Sequence, residues 1–357
     1  MVEYGHPKVK AGLPIVNYSM AYDTYNQLPL FYEEYPGSVV DVSQLEFMLD
    51  KAHDYGYRHA GFILDRGYFS KRNIEYMDKH HYEFIIMVKG KKELVRSLIL
   101  EKQGSFENKR SCGIRRYKAY GTTVKGKLYD GDEKERYFHL FYSDLKKSAE
   151  REALEAKIEH MASLLKKQEG RKPDLSDSYK KYFEPVLDKD GTVLFFSEKD
   201  SVIEEEISLC GYYVIVTSEQ MSAREALELY KSRDSSEKLF RSDKSFLGND
   251  SLRVASSESA SAKNFIYFVA LIARCRIYTL LKDEVLKNDS KANFMTVPAA
   301  LKELEKIEMV RMPNDRYRMA FAVTATQKAI LCAFGMDSDY VRAQADLIGD
   351  MLEKQPA

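Results

Sequence analysis

Residues 59–88 read HAGFILDRGYFSKRNIEYMDKHHYEFIIMV, and this stretch decides the fold. The apolar run from His59 to Leu64 predicts a short strand that stops at Asp65-Arg66-Gly67. Ser70 then offers a side-chain oxygen to the first free amides of a helix reaching about His80. Phe84 to Val88 predicts a second apolar strand. Upstream, Leu13 to Tyr22 and Leu28 to Tyr35 alternate as strands around the polar turn Asp23 to Gln27, so they form an antiparallel hairpin. Val42 to Tyr55 places Leu45, Met48, Leu49 and Ala52 on one helical face, and Gly56 closes it. The order strand, strand, helix, strand, helix, strand predicts a mixed α/β layer domain.

Downstream the pattern changes. From about Leu100 to Leu209 the chain carries short β-like pieces at Arg116 to Val124 and Tyr137 to Tyr142. A charged helix from Ser143 to Lys167 follows, with Leu145, Leu154, Ile158, Met161 and Leu165 near helical spacing. Gln168 to Asp177 has linker composition. The core pattern resumes with a strand at Tyr212 to Thr217 and a helical segment opened by Ser222 and running through Lys244. Phe265 to Leu281 is the most apolar helix. Val297 to Val310 and Ala325 to Phe334 are further helices around a hairpin at Met312 to Ala322. The expected organisation is a first core segment at 1–99, an insertion at 100–210, a second core segment at 211–291 and a helical C-terminal tail at 292–357.

Lysine plus arginine equals aspartate plus glutamate at 55 each, so global charge gives no signal for a polyanion. Distribution does. From Lys89 to Lys127 there are twelve Lys/Arg and three Glu, a local excess of nine positive charges. Such a block suits a polyanion, although a solvated basic face has the same look. Cys112, Cys210, Cys275 and Cys332 have neither metal-finger nor redox spacing and predict free thiols in a reducing compartment. His53, His80 and His81 predict helix-surface residues, with no second ligand at binding spacing. No signal-peptide pattern is present. The longest apolar run, Phe265 to Ala273, is shorter than a bilayer span, which predicts a cytoplasmic, nucleoid-associated protein without a membrane partner.

Two features carry chemistry. Asp65 lies at the C-terminal end of a strand, where the backbone is fixed and the end opens to solvent, a good position for a metal-binding carboxylate. The ordinary alternative is a turn former or helix cap. Tyr230, Arg233, Glu237 and Lys244 would fall within a stripe about 60° wide if one helix carried them all, at roughly 100° per residue. One carboxylate with two cations and a phenol suits metal and phosphate together. The ordinary alternative is a solvated face with an Arg–Glu pair worth a few tenths of a kcal/mol. Asp234, Ser235 and Ser236 are poor interior helix formers between the two halves of this stripe.

The segment YKSRDSSEKLFRSDK resembles the YREK signature of the insertion-sequence-four superfamily of bacterial DDE transposases, with all four positions matched. FILDRGYFSKRNI looks like the family region with the second catalytic Asp, and LPLFYEEYPGSVVDVSQL resembles the strand and helix entry before it. The resemblance covers roughly Val2 to Phe334. It implies a ribonuclease-H-like mixed sheet with helices, interrupted by a large insertion. It also implies two Mg²⁺ ions held by three carboxylates, replaceable by Mn²⁺. Asp65 would be the second acid and Glu237 the third. Tyr230, Arg233 and Lys244, with Arg66 beside them, would grip the DNA backbone. Double-stranded terminal-repeat DNA and a homodimer assembled on that DNA are the implied partners.

The sequence departs from the family at its start. No Asp precedes the hairpin, Asp23 lies in the hairpin turn and Asp41 at a helix start. The expectation is an N-terminally truncated chain lacking the first strand, its acid and the DNA-recognition region, catalytically inactive, with the hairpin loosely attached. Trp is absent, so Tyr or Phe would replace an aromatic that some relatives use to hold a flipped base. Two other readings fit these residues. One is a non-catalytic DNA-binding remnant that modulates a full-length transposase. The other is a different metal-dependent nuclease of the same fold.

Overall fold

A computed structural model of the chain describes residues 3–4, 15–58, 60–89, 92–234, 253–254, 256–287, 296–313 and 316–353. They divide into two compact units, one made of Met1–Val39 with Asp234–Ala357, the other of Val40–Arg233. The first unit begins with strands β1 (Val16–Asp23) and β2 (Leu28–Pro36), antiparallel in a two-stranded sheet of their own. The turn is set by Asp23, whose carboxylate accepts from the backbone N–H groups of Tyr25 (2.8 Å) and Asn26 (3.0 Å). Asp and Asn favour such turns because their side chains satisfy local amides.

The second unit runs α1 (Asp41–Asp54), β3 (Gly61–Leu64), α2 (Lys71–Lys79), β4 (Glu83–Met87), α3 (Lys92–Lys102), β5 (Gly113–Ile114), β6 (Ala119–Lys127) and β7 (Glu135–Tyr142). It continues with α4 (Asp144–Leu165), α5 (Asp177–Lys180), β8 (Phe183–Leu187), β9 (Val193–Glu198), α6 (Asp200–Leu209), β10 (Tyr212–Thr217) and α7 (Ala223–Ser232). Six strands form one mixed sheet in the order β3-β4-β10-β7-β6-β5. β3 and β4 are parallel and every other pair is antiparallel. This is a mixed α/β architecture compatible with a ribonuclease-H-like fold. Strands β5 to β7 come from residues 100–210 and pair directly with the same sheet as β4 and β10.

Both faces of the sheet are buried, which explains its nearly continuous apolar strands. On one face Leu64, Phe84, Ile86, Phe138, Leu140, Val214 and Val216 meet Leu45 and Leu49 of α1, Ile74 and Met77 of α2, and Ile99 of α3. The opposite face sets Ile85, Phe141 and Ile215 against Ala223, Ala226, Leu227 and Tyr230 of α7. α7 approaches closely because position 121 is glycine. A Cβ there would lie 2.9 Å from the Phe141 ring and 3.0 Å from the Ala223 methyl. A smaller third core joins Ile158, Met161 and Leu165 of α4 to Tyr182, Phe183 and Ile203 around the β8–β9 hairpin.

His139 and Thr217 are fully buried polar residues in the sheet. His139 Nδ1 lies 2.9 Å from Thr123 Oγ1, and its Nε2 lies 3.0 Å from Thr217 Oγ1. The Thr217 hydroxyl donates to the Glu219 carbonyl (2.7 Å), so it accepts from His139 Nε2–H, and the Thr123 hydroxyl donates to Nδ1. Burial pushes the imidazole pKa down to about 4, so the ring is neutral.

The first unit resumes with α8 (Ser257–Lys287), α9 (Val297–Leu304), β11 (Met309–Arg311), β12 (Tyr317–Met319), α10 (Ala325–Ala333) and α11 (Ser338–Glu353). The hairpin packs on α8: Met20, Tyr22 and Leu28 cover Leu271 and Cys275, and Tyr32 lies 5.0 Å from the Phe268 ring. Glu34 accepts from Ser261 (2.7 Å) and Asn264 (2.9 Å), fixing the register of helix on hairpin.

One expectation is corrected here. The helix expected at Val297 to Val310 ends at Leu304, and Met309 and Val310 instead begin the small hairpin, pairing with Met319 and Arg318. The apolar run at Phe265 to Ala273 is by itself shorter than a bilayer span. It lies inside a 31-residue helix with an 18-residue window of mean hydropathy 1.4, long and apolar enough to cross a membrane by length and composition.

Candidate active site

β3 ends at Leu64 because Asp65 turns the chain. Its Oδ1 accepts the Gly67 N–H at 2.9 Å and caps a single helical turn over Arg66–Tyr68. Behind that turn sits Asn73, 2% exposed, whose side-chain amide donates to the carbonyls of Tyr68 (2.9 Å) and Val42 (2.9 Å). Ser70 Oγ accepts the Asn73 N–H at 3.1 Å and starts α2. Three elements are therefore pinned around Asp65 by one buried amide. The Asp65 side chain is 56% exposed, open to a ligand. Arg66 begins the same turn and is exposed.

α7 brings the partner. It starts at Ser222 with a capping box, in which Ser222 accepts the Glu225 N–H and Glu225 accepts the Ser222 N–H. It buries Tyr230 to 4% exposure and ends at Arg233. Arg233 Nη1 then meets Asp65 Oδ2 at 2.6 Å, across 168 residues of sequence. The guanidinium also sits 5.0 Å from the Tyr230 ring centroid, a cation–π distance. With Asp65 more than half exposed, water screens the ion pair, which is worth on the order of 1 kcal/mol or less. Such a pair is easily exchanged for another ligand.

Three residues expected at the site thus converge within the second unit: Asp65 and Arg233 in direct contact, and Tyr230 beneath the guanidinium. Arg66 adjoins them. Glu237 and Lys244 lie outside the described residues. Tyr230 offers a buried ring to Arg233, which the stripe on a helical wheel does not reveal. Asn73 and Gly121 were missed. An Asn in the first turn of a helix is a poor helix former and is the one sequence signal that could have singled out Asn73.

Among the described residues, no three His, Cys, Asp or Glu side chains lie close enough together to hold a metal ion. Asp65 is suited to a hard cation by its oxygen donors and exposure. Its two oxygens are held by Gly67 N–H and Arg233. Among the described residues Asp65 stands without two further Asp, Glu, His or Cys side chains close enough to share an ion with it.

A family model for the transposase DDE domain matches residues 3–273. The matched span runs from the residues before β1 into α8 and contains Asp65, Tyr230, Arg233, Glu237 and Lys244. No curated protein sequence matches the chain.

Proposed function

We propose, from the premise that this chain belongs to the transposase DDE-domain family, that it is built for phosphodiester cleavage and strand transfer at the ends of an insertion sequence, within the branch marked by the YREK signature. The family acts on DNA and uses divalent metals such as Mg²⁺. The observation that carries the finer reading is the contact between Asp65 and Arg233. It joins an acid at a strand end to a cation of the YREK segment, on the framework made by β3, Asn73 and α7.

In this reading Asp65 and Glu237 are the second and third acids, and they would hold the metal. The ion would polarise the phosphate and activate the attacking oxygen. Arg233 exchanges its weak pair with Asp65 for a phosphate oxygen, with Tyr230 fixing the guanidinium plane. Arg66 and Lys244 add positive charge beside the scissile phosphate. A dimer of the protein on paired element ends is the working assembly.

The test is strand cleavage with Mg²⁺ or Mn²⁺ on duplexes carrying the element's terminal repeats, alongside equilibrium binding to the same duplexes. Binding that Arg233→Ala weakens supports the reading. Metal-dependent cleavage that Asp65→Ala abolishes supports the catalytic reading. Equal binding of wild type and Arg233→Ala, with no preference for element ends, overturns the assignment of the site.

A further inference from the structure

We infer that Arg115, Arg116 and Lys118 form a second DNA-backbone contact, on the same end of the sheet as Asp65 and about 20 Å from it; this rests on the DNA reading above. The strand directions carry the inference. β3 ends at Leu64 and the parallel β4 ends at Met87, so Asp65 and Lys89 leave the sheet at one end. β10 runs against β4 and β7 against β10, which brings Tyr212 and Tyr142 to that same end. β6 pairs Tyr120 with Tyr142, so the residues just before β6 emerge there too. Those residues are Arg115, Arg116, Tyr117 and Lys118.

The distance follows from strand spacing. β6 is four strand steps from β3, about 19 Å at roughly 4.8 Å per step. α7 bridges the same gap. Near its start Arg224 donates to the Gly113 carbonyl of β5 at 3.0 Å, and at its end Arg233 holds Asp65. Each strand of a duplex carries one phosphate per about 3.4 Å of helix axis, so a separation of about 20 Å along that axis corresponds to about six base pairs.

The chemistry of the corner matches. Arg115, Arg116 and Lys118 are all exposed, and the Arg116 guanidinium lies 5.6 Å from the Tyr117 ring centroid. Lys118 adopts φ 49°, ψ 46°, the left-handed conformation that glycine takes without strain and a lysine does not. The turn would be easier with glycine, so Lys118→Gly removes the charge without straining the backbone. The other end of the sheet has the opposite character. A surface cavity of about 590 Å³ there is lined by Asp78, Glu83, Glu133, Glu135 and Glu219, with only Lys125, Lys134 and Arg136 as cations. Five acids against three cations leave that end with a formal charge of −2, with Asp78 and Glu135 paired to those cations, so it offers a polyanion less than the exposed cations at the end that carries Asp65.

The test uses the full chain and a random-sequence DNA duplex of about 30 base pairs, with binding followed by anisotropy over a range of salt. Each phosphate contact adds about 0.9 to the slope of log affinity against log salt. The variant Arg115→Ala/Arg116→Ala/Lys118→Gly should therefore bind about ten- to a hundredfold more weakly, with a slope smaller by two to three. Lys118→Gly alone should lower the slope by about one while its melting temperature stays the same or rises. Unchanged affinity and slope in the triple variant overturn the second contact and leave DNA binding intact. A melting temperature lowered by Lys118→Gly also overturns it, since the lysine would then be structural. No binding by the wild type overturns both this inference and the reading beneath it.

Discussion

Acidification below pH 6.5 should weaken the fold through His139, by an amount the sheet sets. The ring is fully buried and bridges three strands through Thr123 and Thr217. Burial lowers its pKa from about 6.5 to about 4. Because the folded value is depressed, the folded state favours the neutral ring. Its contribution is complete above pH 6.5 and is lost as pH falls toward 4, where the unfolded chain gains a proton that the folded chain excludes. A gap of about 2.5 units at about 1.4 kcal/mol per unit gives on the order of 3 kcal/mol. Carboxylates also titrate in this range, so the comparison must be with His139→Gln, whose amide can donate to Thr217 and accept from Thr123 without titrating. Urea unfolding of both proteins between pH 7 and about pH 4, followed by circular dichroism, reads the difference. Wild type should lose about 3 kcal/mol more than the variant over this interval. Parallel curves for the two proteins would refute the claim that the ring is buried neutral.

Asn73→Ala removes two side-chain hydrogen bonds and leaves the Tyr68 and Val42 carbonyls without their amide donor; denaturant unfolding should show a loss of about 2 kcal/mol, and DNA binding should weaken as the Asp65 turn loosens. Gly121→Val forces atoms into the Phe141 ring and the Ala223 methyl, so it should cost about 2–4 kcal/mol, measured by the same unfolding, with α7 displaced from the sheet. Arg233→Lys keeps the charge but not the planar fork. It should retain stability to within about 1 kcal/mol and lose several-fold in DNA affinity, where a purely electrostatic role would leave affinity unchanged.

The local elements around Asp65 were legible because their signals are local. The apolar run before Asp65, the serine caps at Ser70 and Ser222 and the polar turn at Asp23 act within a few residues, and the structure has a strand, two helices and a hairpin in those places. Local signals misled where a helix pattern met a strand, as at Met309 and Val310, because periodicity over a few apolar residues does not distinguish the two. The YREK segment could be read as a stripe, but its angular pattern says nothing about what each side chain meets. Only the fold buries the Tyr230 ring and turns Arg233 onto Asp65.

What the sequence determined by itself, then, is the set of parts: a strand ending in an acid, capped helices, a basic block and a spaced motif, each written in nearest-neighbour chemistry. What only the tertiary structure decided is their convergence. Strand order and direction bring Asp65 to one sheet end with the basic corner at Arg115 to Lys118, and a glycine at 121 lets α7 lie close enough to deliver Arg233 across 168 residues. Pairing and packing at such separations depend on which surfaces exclude water together, a property of the whole sheet that no single segment carries.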